Sequence, residues 1–161
     1  MSATVVGLER DEFERRLPEL VEVYLAAYRG LERYAYTGRG RVAAYLHWLW
    51  RGDPGGLFVA LHDGRAVGFA ACHAQWGEQA GVPVAELHEL AVAPSAQGSG
   101  VGSALLRAVL AYGREQGALE IGLAVGRDNL RARRFYERHG FVYGEQQGEW
   151  LRMRRELAGH E

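Results

Sequence analysis

Between Leu87 and Leu106 an apolar strand runs into a glycine-rich turn and then into an amphipathic helix. No other stretch limits so strongly what the chain can fold into. Leu87, Leu90 and Val92 make the strand, with Glu86, His88 and Glu89 set among them, and Pro94 and Ser95 end it. Gln97-Gly98-Ser99-Gly100-Val101-Gly102 then opens a helix whose apolar face is Val101, Ala104, Leu105, Ala108 and Val109. The first amides of a helix have no intrahelical partner, the helix dipole favours negative charge there, and glycine lets backbone approach a phosphate closely. Strand, turn and helix together predict an anion site at the amides from Gly98 to Gly102.

Several other functions are excluded by composition. The chain contains no lysine, so it lacks the cation of a P-loop or a kinase ATP site and the Schiff-base amine of a pyridoxal phosphate enzyme. A formal net charge of −1 gives no reason to expect nucleic acid or an anionic membrane as a partner. No apolar run approaches the ~18 residues of a membrane span, and no secretory signal opens the chain. The single cysteine, Cys72, forms no internal disulfide, fits a reducing cytoplasm, and sits with Ala70 and Ala71 on an expected inner strand as a buried, inert thiol. The six histidines have no metal-ligand spacing, so no metal is assigned. At 161 residues the chain is expected to be one domain, 1–161, able to bury roughly 70% of its unfolded surface.

In order, Thr4 to Leu8 predicts a strand. From Asp11, a plausible N-cap, helical spacing runs through Phe13, Leu17, Leu20, Val21, Tyr24 and Tyr28 to a stop at Gly30. Pro18 inside it either kinks this helix or starts a second. Leu31 to Gly40 is expected as a loop, Arg41 to Trp50 as a short helix, and Gly52 to Gly56 as its break. Leu57–Leu61 and Ala66–His73 form a hairpin about Asp63-Gly64. A loop is expected over Gly77–Gly81 and a central strand over Val84–Val92. A helix from Gly100 to Gln116, a strand from Leu119 to Val125, a helix from Asn129 to His139 and two closing strands complete a mixed α/β chain, α+β in its segregation, with a largely antiparallel sheet.

Gln97, Gly100 and Gly102 fill the fixed positions of (Gln/Arg)-x-x-Gly-x-(Gly/Ala), so the run resembles motif A of the GNAT superfamily of acetyl-CoA-dependent N-acetyltransferases. Asn129 to Phe141, with Ala132, Phe135, Tyr136 and Gly140, is similar to that family's motif B. The resemblance implies a mostly antiparallel twisted sheet of six to seven strands flanked by about four helices, with acetyl-CoA in a wedge between the central strand and the Leu119–Val125 strand. It implies cosubstrate contacts from the backbone of Leu90, Ala91 and Val92, from Gln97, Gly98, Ser99, Gly100, Val101, Gly102 and Ser103, and from Asn129, Ala132, Phe135 and Tyr136. A Rossmann dinucleotide site is the nearest rival for the same glycines. Against it, Ser103 stands where that fingerprint wants a third Gly or Ala, Glu120 begins rather than ends the next strand, and a hairpin precedes the motif.

Acetyl transfer to an amine needs a base, because an ammonium has no lone pair. A carboxylate on a buried strand suits this, since burial raises its pKa toward neutrality. Glu86, His88 and Glu89 all qualify. On a regular strand Glu86 and His88 share a face with Leu90 and Val92, and Glu89 faces the other way with Leu87 and Ala91. Counted back from Gln97, Glu86 matches the base of histone-type members, which makes it the favoured base, while other members carry a functional acid nearer Glu89 and His88 stands behind both. The resemblance gives Tyr136 the role of acid to the departing thiolate, against its alternative as a core aromatic. Asn129 suits both an N-cap and a cosubstrate contact. Ala124 stands where members that acetylate ribosomal-protein N-termini tend to carry an acid, which counts against that subfamily.

The acceptor is an amine, small molecule or peptide N-terminus, whose pocket is expected near the aromatic residues Tyr28, Tyr34, Tyr36, Tyr45, Trp48, Trp50, Trp76 and Trp150. Core or dimer-interface packing accounts for the same residues equally well. A cytoplasmic enzyme is expected, and family habit implies a homodimer. The alternative from another class is a non-catalytic acyl-CoA-binding sensor on the same fold.

Overall fold

The computed structural model describes residues 2–157. It contains β1 (Thr4–Gly7), α1 (Arg10–Ala27), α2 (Arg39–Gly52), β2 (Leu57–His62), β3 (Arg65–Gln79), β4 (Val82–Val92), α3 (Val101–Glu115), β5 (Glu120–Gly126), α4 (Leu130–Arg138), β6 (Val142–Gln147) and β7 (Trp150–Glu156). The seven strands form one sheet in the order β1-β2-β3-β4-β5-β7-β6. Every neighbouring pair is antiparallel except β4 and β5. The expected mixed α/β sheet with four flanking helices is the observed one. Among the described residues no helix is long and apolar enough to cross a membrane.

Each face of the sheet buries its own core. On one side α1 and α2 pack Phe13, Leu20, Leu46 and Leu49 onto Val59, Phe69 and Ala91. On the other, Leu105, Leu106 and Val109 of α3 and Tyr136 of α4 pack onto Ala70, Cys72, Leu87, Ile121, Leu123 and Met153. Two helical stripes on opposite faces explain why the strands between them are apolar on both sides.

Several expected boundaries move. Helix α1 begins at Arg10 with Glu9, not Asp11, at its N-cap, and it ends at Ala27, before Gly30. Pro18 lies inside one continuous helix rather than dividing two. The Leu31–Gly40 loop contains a 3-10 turn at Glu32–Tyr34 and gives its last two residues to α2. Residues 77–81 are not a loop. β3 and β4 continue to Gln79 and Val82 and close on a two-residue turn in which Ala80 (φ 50°) and Gly81 (φ 81°) are both left-handed. The Asp63-Gly64 turn has the same two-residue left-handed form and the residue types that advertise it; Ala80 carries no such signal.

Candidate active site

The sheet opens at the one parallel pair among the described residues. β4 and β5 are in register at Ala85–Ile121 and Glu86–Gly122 and then part. A narrow cleft of about 60 Å³ follows, with Leu87 to Leu90 on one lip and Leu123 to Gly126 on the other. Tyr136 lines its floor and also lines a second cleft of about 690 Å³ that leads away toward the N-terminus of α3.

The glycine turn forms one wall of this larger cleft. Gly98 (φ 80°) and Gly100 (φ 89°) are left-handed, and nothing lies within 4 Å of a Cβ built on either. Their glycines are therefore required by backbone conformation, not by crowding. At Gly102 a Cβ would meet the Phe135 ring at 3.5 Å, an ordinary contact, which is why that position of the motif admits alanine. Gly100 supplies no side-chain cap, and the first intrahelical bond of α3 is from Ala104 N–H to the Gly100 carbonyl at 3.0 Å. The amides of Val101, Gly102 and Ser103 precede that first bond and have no intrahelical partner. Opposite them Arg131, Arg134 and Arg138 line the cleft, and no Asp or Glu does. Such a cavity fits an elongated polyanion.

Of the residues expected at the cosubstrate, Leu90, Val92, Gln97, Gly98, Gly100, Gly102, Ser103, Asn129, Ala132, Phe135 and Tyr136 all line this cleft. Ala91, Ser99 and Val101 do not present side chains to it. Ala91 and Val101 are buried in the cores, and the Ser99 hydroxyl donates to the Ala96 carbonyl. The Gln97 amide donates to the Val92 carbonyl at 3.2 Å, tying the turn to the strand it leaves. Asn129 caps α4, its Oδ1 accepting from the Ala132 amide at 3.3 Å.

A bulge decides where the β4 carboxylates point. Ala71 pairs with Glu89 but the next residue, Cys72, pairs with Leu87, so His88 is an extra residue in β4. Leu87 before it and Leu90 after it consequently both face the α3–α4 core. Regular alternation would have put them on opposite faces. The expectation that Glu86 and Glu89 look in opposite directions is thereby overturned: both look toward the α1–α2 side. There they meet different partners. Both Glu86 oxygens accept from Arg152 of β7, at 2.6 and 2.8 Å. Glu89, 6% exposed, accepts from the hydroxyls of Tyr28 (2.5 Å) and Tyr45 (2.9 Å). Burial pushes its pKa up to about 7, against the opposing pull of those hydroxyls and the Leu90 amide. His88 goes the other way. Burial, then His73 and Arg152, lower it to about 4, so the ring is neutral at pH 7.

Tyr136 is buried, and burial followed by the Glu89 charge pushes its pKa well up, so its hydroxyl keeps its proton at neutral pH. Cys72 is fully buried with its thiol pushed up to about 12, an inert position as expected. Trp50 does not wall a pocket: it is buried, stacked on Phe13 at 5.3 Å. Tyr34 is buried against Gly126 yet, with Tyr28 and Trp150, lines the narrow cleft. The residues that the sequence alone did not link to the site are Arg152 and the hydroxyls of Tyr28 and Tyr45 as partners of β4. Tyr28 follows the last turn of α1 and Tyr45 sits within the apolar stripe of α2, each adding a polar atom to an apolar helix face.

Residues 17–141 match the family model described as "Acetyltransferase (GNAT) family". An uncharacterised N-acetyltransferase of Archaeoglobus fulgidus is 46% identical over 121 residues, 74% of this chain and 82% of its own length. Among solved structures, a protein of Pyrococcus horikoshii superposes with a TM-score of 0.86 at 33% identity, covering 96% of this chain and 98% of its own. A PaiA N-acetyltransferase of Thermoplasma acidophilum, solved in complex with coenzyme A, shares the fold at a TM-score of 0.75 and 21% identity, over 97% of this chain and 99% of its own.

Proposed function

Because the chain belongs to the GNAT acetyltransferase family, we propose that it moves an acetyl group from acetyl-CoA to a primary amine by direct attack in a ternary complex. The observation that carries this is the meeting, at the split between β4 and β5, of a carboxylate poised near neutrality and a phenol that holds its proton, at the inner end of a cleft built for a polyanion. The free amides of α3 and the arginines of α4 suit the phosphates of CoA, and the apolar stretch past Leu90 and Val92 suits its pantetheine arm.

In this scheme Glu89, rather than Glu86, is the base. Glu86 is paired with the Arg152 cation, whereas Glu89 is held by two neutral hydroxyls, lines the narrow cleft and is half ionised at pH 7. Glu89 takes a proton from the acceptor ammonium, directly or through water. The amine nitrogen then attacks the acetyl carbon, the new C–N bond forms, and the C–S bond breaks. Tyr136 gives its proton to the departing thiolate, and the surplus proton on the nitrogen leaves through solvent as the amide forms, returning the phenolate to phenol. Glu86 and Arg152 tie β4 to β7 across Gly122 of the intervening β5.

The test is calorimetric titration with acetyl-CoA, with NAD in parallel, followed by thiol release with a panel of primary amines. Micromolar acetyl-CoA binding and amine-dependent thiol release are expected. Binding of NAD alone would overturn the proposal. Acetyl-CoA binding without amine-dependent release would reduce the protein to a CoA-binding module, and release unaffected by Glu89→Gln and Tyr136→Phe would overturn the roles given to those two residues.

A further inference from the structure

Acetyl-CoA would fill the larger cleft, so the amine has to reach Glu89 from the other end of the narrow one. Tyr34, Gly126 and Trp150 line the narrow cleft and not the larger. Its volume of about 60 Å³ is far below the roughly 300 Å³ or more that a small-molecule ligand fills. An acceptor of more than a few heavy atoms therefore needs one wall to move.

Most walls are fixed. Leu87 to Leu90 and Leu123 to Gly126 belong to the sheet, Asn129 caps α4, and Tyr28 is held by Glu89. Tyr34 stands apart, on the 3-10 turn Glu32–Tyr34 between α1 and α2. The backbone bonds of that turn are local, from the Tyr34 amide to the Leu31 carbonyl at 2.9 Å and from the Ala35 amide to the Glu32 carbonyl at 3.1 Å. Among the described residues its polar links to the opposite lip run through two side chains. The Tyr34 hydroxyl accepts from the Asp128 amide at 3.1 Å, and Arg33 pairs with Asp128 and, at 3.5 Å, with Glu149. All three charged side chains are about half exposed, so these pairs are weak and screened by salt.

The opposite lip is cut to receive the ring. Gly126 ends β5 without a left-handed φ, so its glycine answers to crowding: a Cβ there would lie 2.5 Å from the Tyr34 ring. The ring also meets Trp150 edge-on at 5.3 Å. A buried ring seated in a notch, on a turn bonded only to itself and fastened by surface ion pairs, can leave and return as a unit.

We propose that Tyr34 gates the acceptor site: seated on Gly126 it shuts the narrow cleft, its departure with the Glu32–Tyr34 turn admits the amine, and Arg33 is the latch. This rests on the acetyl-transfer function proposed above and adds a residue that sets how broad an acceptor can be.

Two measurements test it. The first needs no turnover: amide exchange by NMR on the whole free protein, at low and high salt. Arg33→Gln should speed exchange of the Asp128 amide severalfold at low salt and little at high salt, with the amides of β7 unchanged. The second compares kcat/KM at saturating acetyl-CoA for ethylamine and cyclohexylmethylamine. Tyr34→Ala and Gly126→Ala should each raise the ratio of the broad to the narrow amine about tenfold, and Tyr34→Phe, which keeps the ring, should keep the wild-type ratio. Acetyl-CoA affinity by calorimetry on each variant reports that the fold survives. A ratio unchanged in Tyr34→Ala, or moved as far by Tyr34→Phe, overturns the gate and leaves acetyl transfer standing. So does an Asp128 exchange rate blind to both Arg33→Gln and salt. Acetyl-CoA binding with no transfer to any amine overturns both.

Discussion

Replacing Tyr28 with phenylalanine should move the acidic limb of the pH–rate profile upward without abolishing turnover. The Tyr28 hydroxyl donates to Glu89 at 2.5 Å in a site where Glu89 is buried and its pKa is about 7. A hydrogen bond to a charged group contributes about 1.5–3 kcal/mol, and one pKa unit corresponds to about 1.4 kcal/mol. Losing this donor therefore raises the Glu89 pKa by about one unit or somewhat more. At one unit, the ionised fraction at pH 7 falls from about one half to about one tenth, so kcat/KM drops roughly fivefold. The loss should vanish by about pH 9, where both enzymes are fully ionised. The assay is thiol release from saturating acetyl-CoA with one amine across pH 6–9, wild type against variant, so that the ionisation of the amine cancels. Tyr45→Phe should shift the limb in the same direction. A Tyr28→Phe profile that superposes on the wild type, or a rate lowered equally at every pH, would refute Glu89 as the group whose ionisation sets activity.

The same carboxylate links activity to stability. Its folded pKa is raised above the ordinary 4.5, so the stability it contributes is fully present below that value and is lost as pH rises through about 7. The difference amounts to about 3 kcal/mol, or several degrees in Tm for a chain of this size. Glu89→Gln should lower kcat by at least about a hundredfold yet flatten the fall of Tm between pH 5 and 8, by thermal denaturation. Gly100→Ala forces a left-handed alanine and should weaken acetyl-CoA binding by calorimetry, at a conformational cost of about 1–2 kcal/mol; Gly102→Ala, with only ordinary contacts, should bind nearly as the wild type does. Tyr136→Phe should lower kcat and leave the affinity for acetyl-CoA within about twofold. Arg152→Met leaves the buried Glu86 carboxylate unpaired and should destabilise by about 2 kcal/mol, less than a fully buried pair because the Arg152 side chain is 37% exposed. Glu86→Met combined with Arg152→Met should recover most of that Tm.

Local sequence carried much of this molecule. The strand–glycine–helix run was legible because each part signals itself within a few residues: apolar alternation, a proline stop, glycines at two left-handed positions, and a helical stripe from Val101. Asn129 was legible as a cap for the same reason. Glu86, His88 and Glu89 could be named as candidates from their place on a buried strand, but the sequence could not choose among them. The choice depends on one extra residue in β4 relative to β3, and a bulge is a property of the pairing of two strands, not of either strand alone. It depends equally on partners distant in the chain, 61 residues away for Tyr28 and 66 for Arg152, which only the packed sheet and helices bring to the carboxylates. The sequence by itself determined that this chain makes a left-handed glycine turn between strand and helix and an acetyltransferase fold around it. Tertiary structure decided which carboxylate is paired with a cation and which is left near neutrality, because a pKa is set by burial and by neighbours in space.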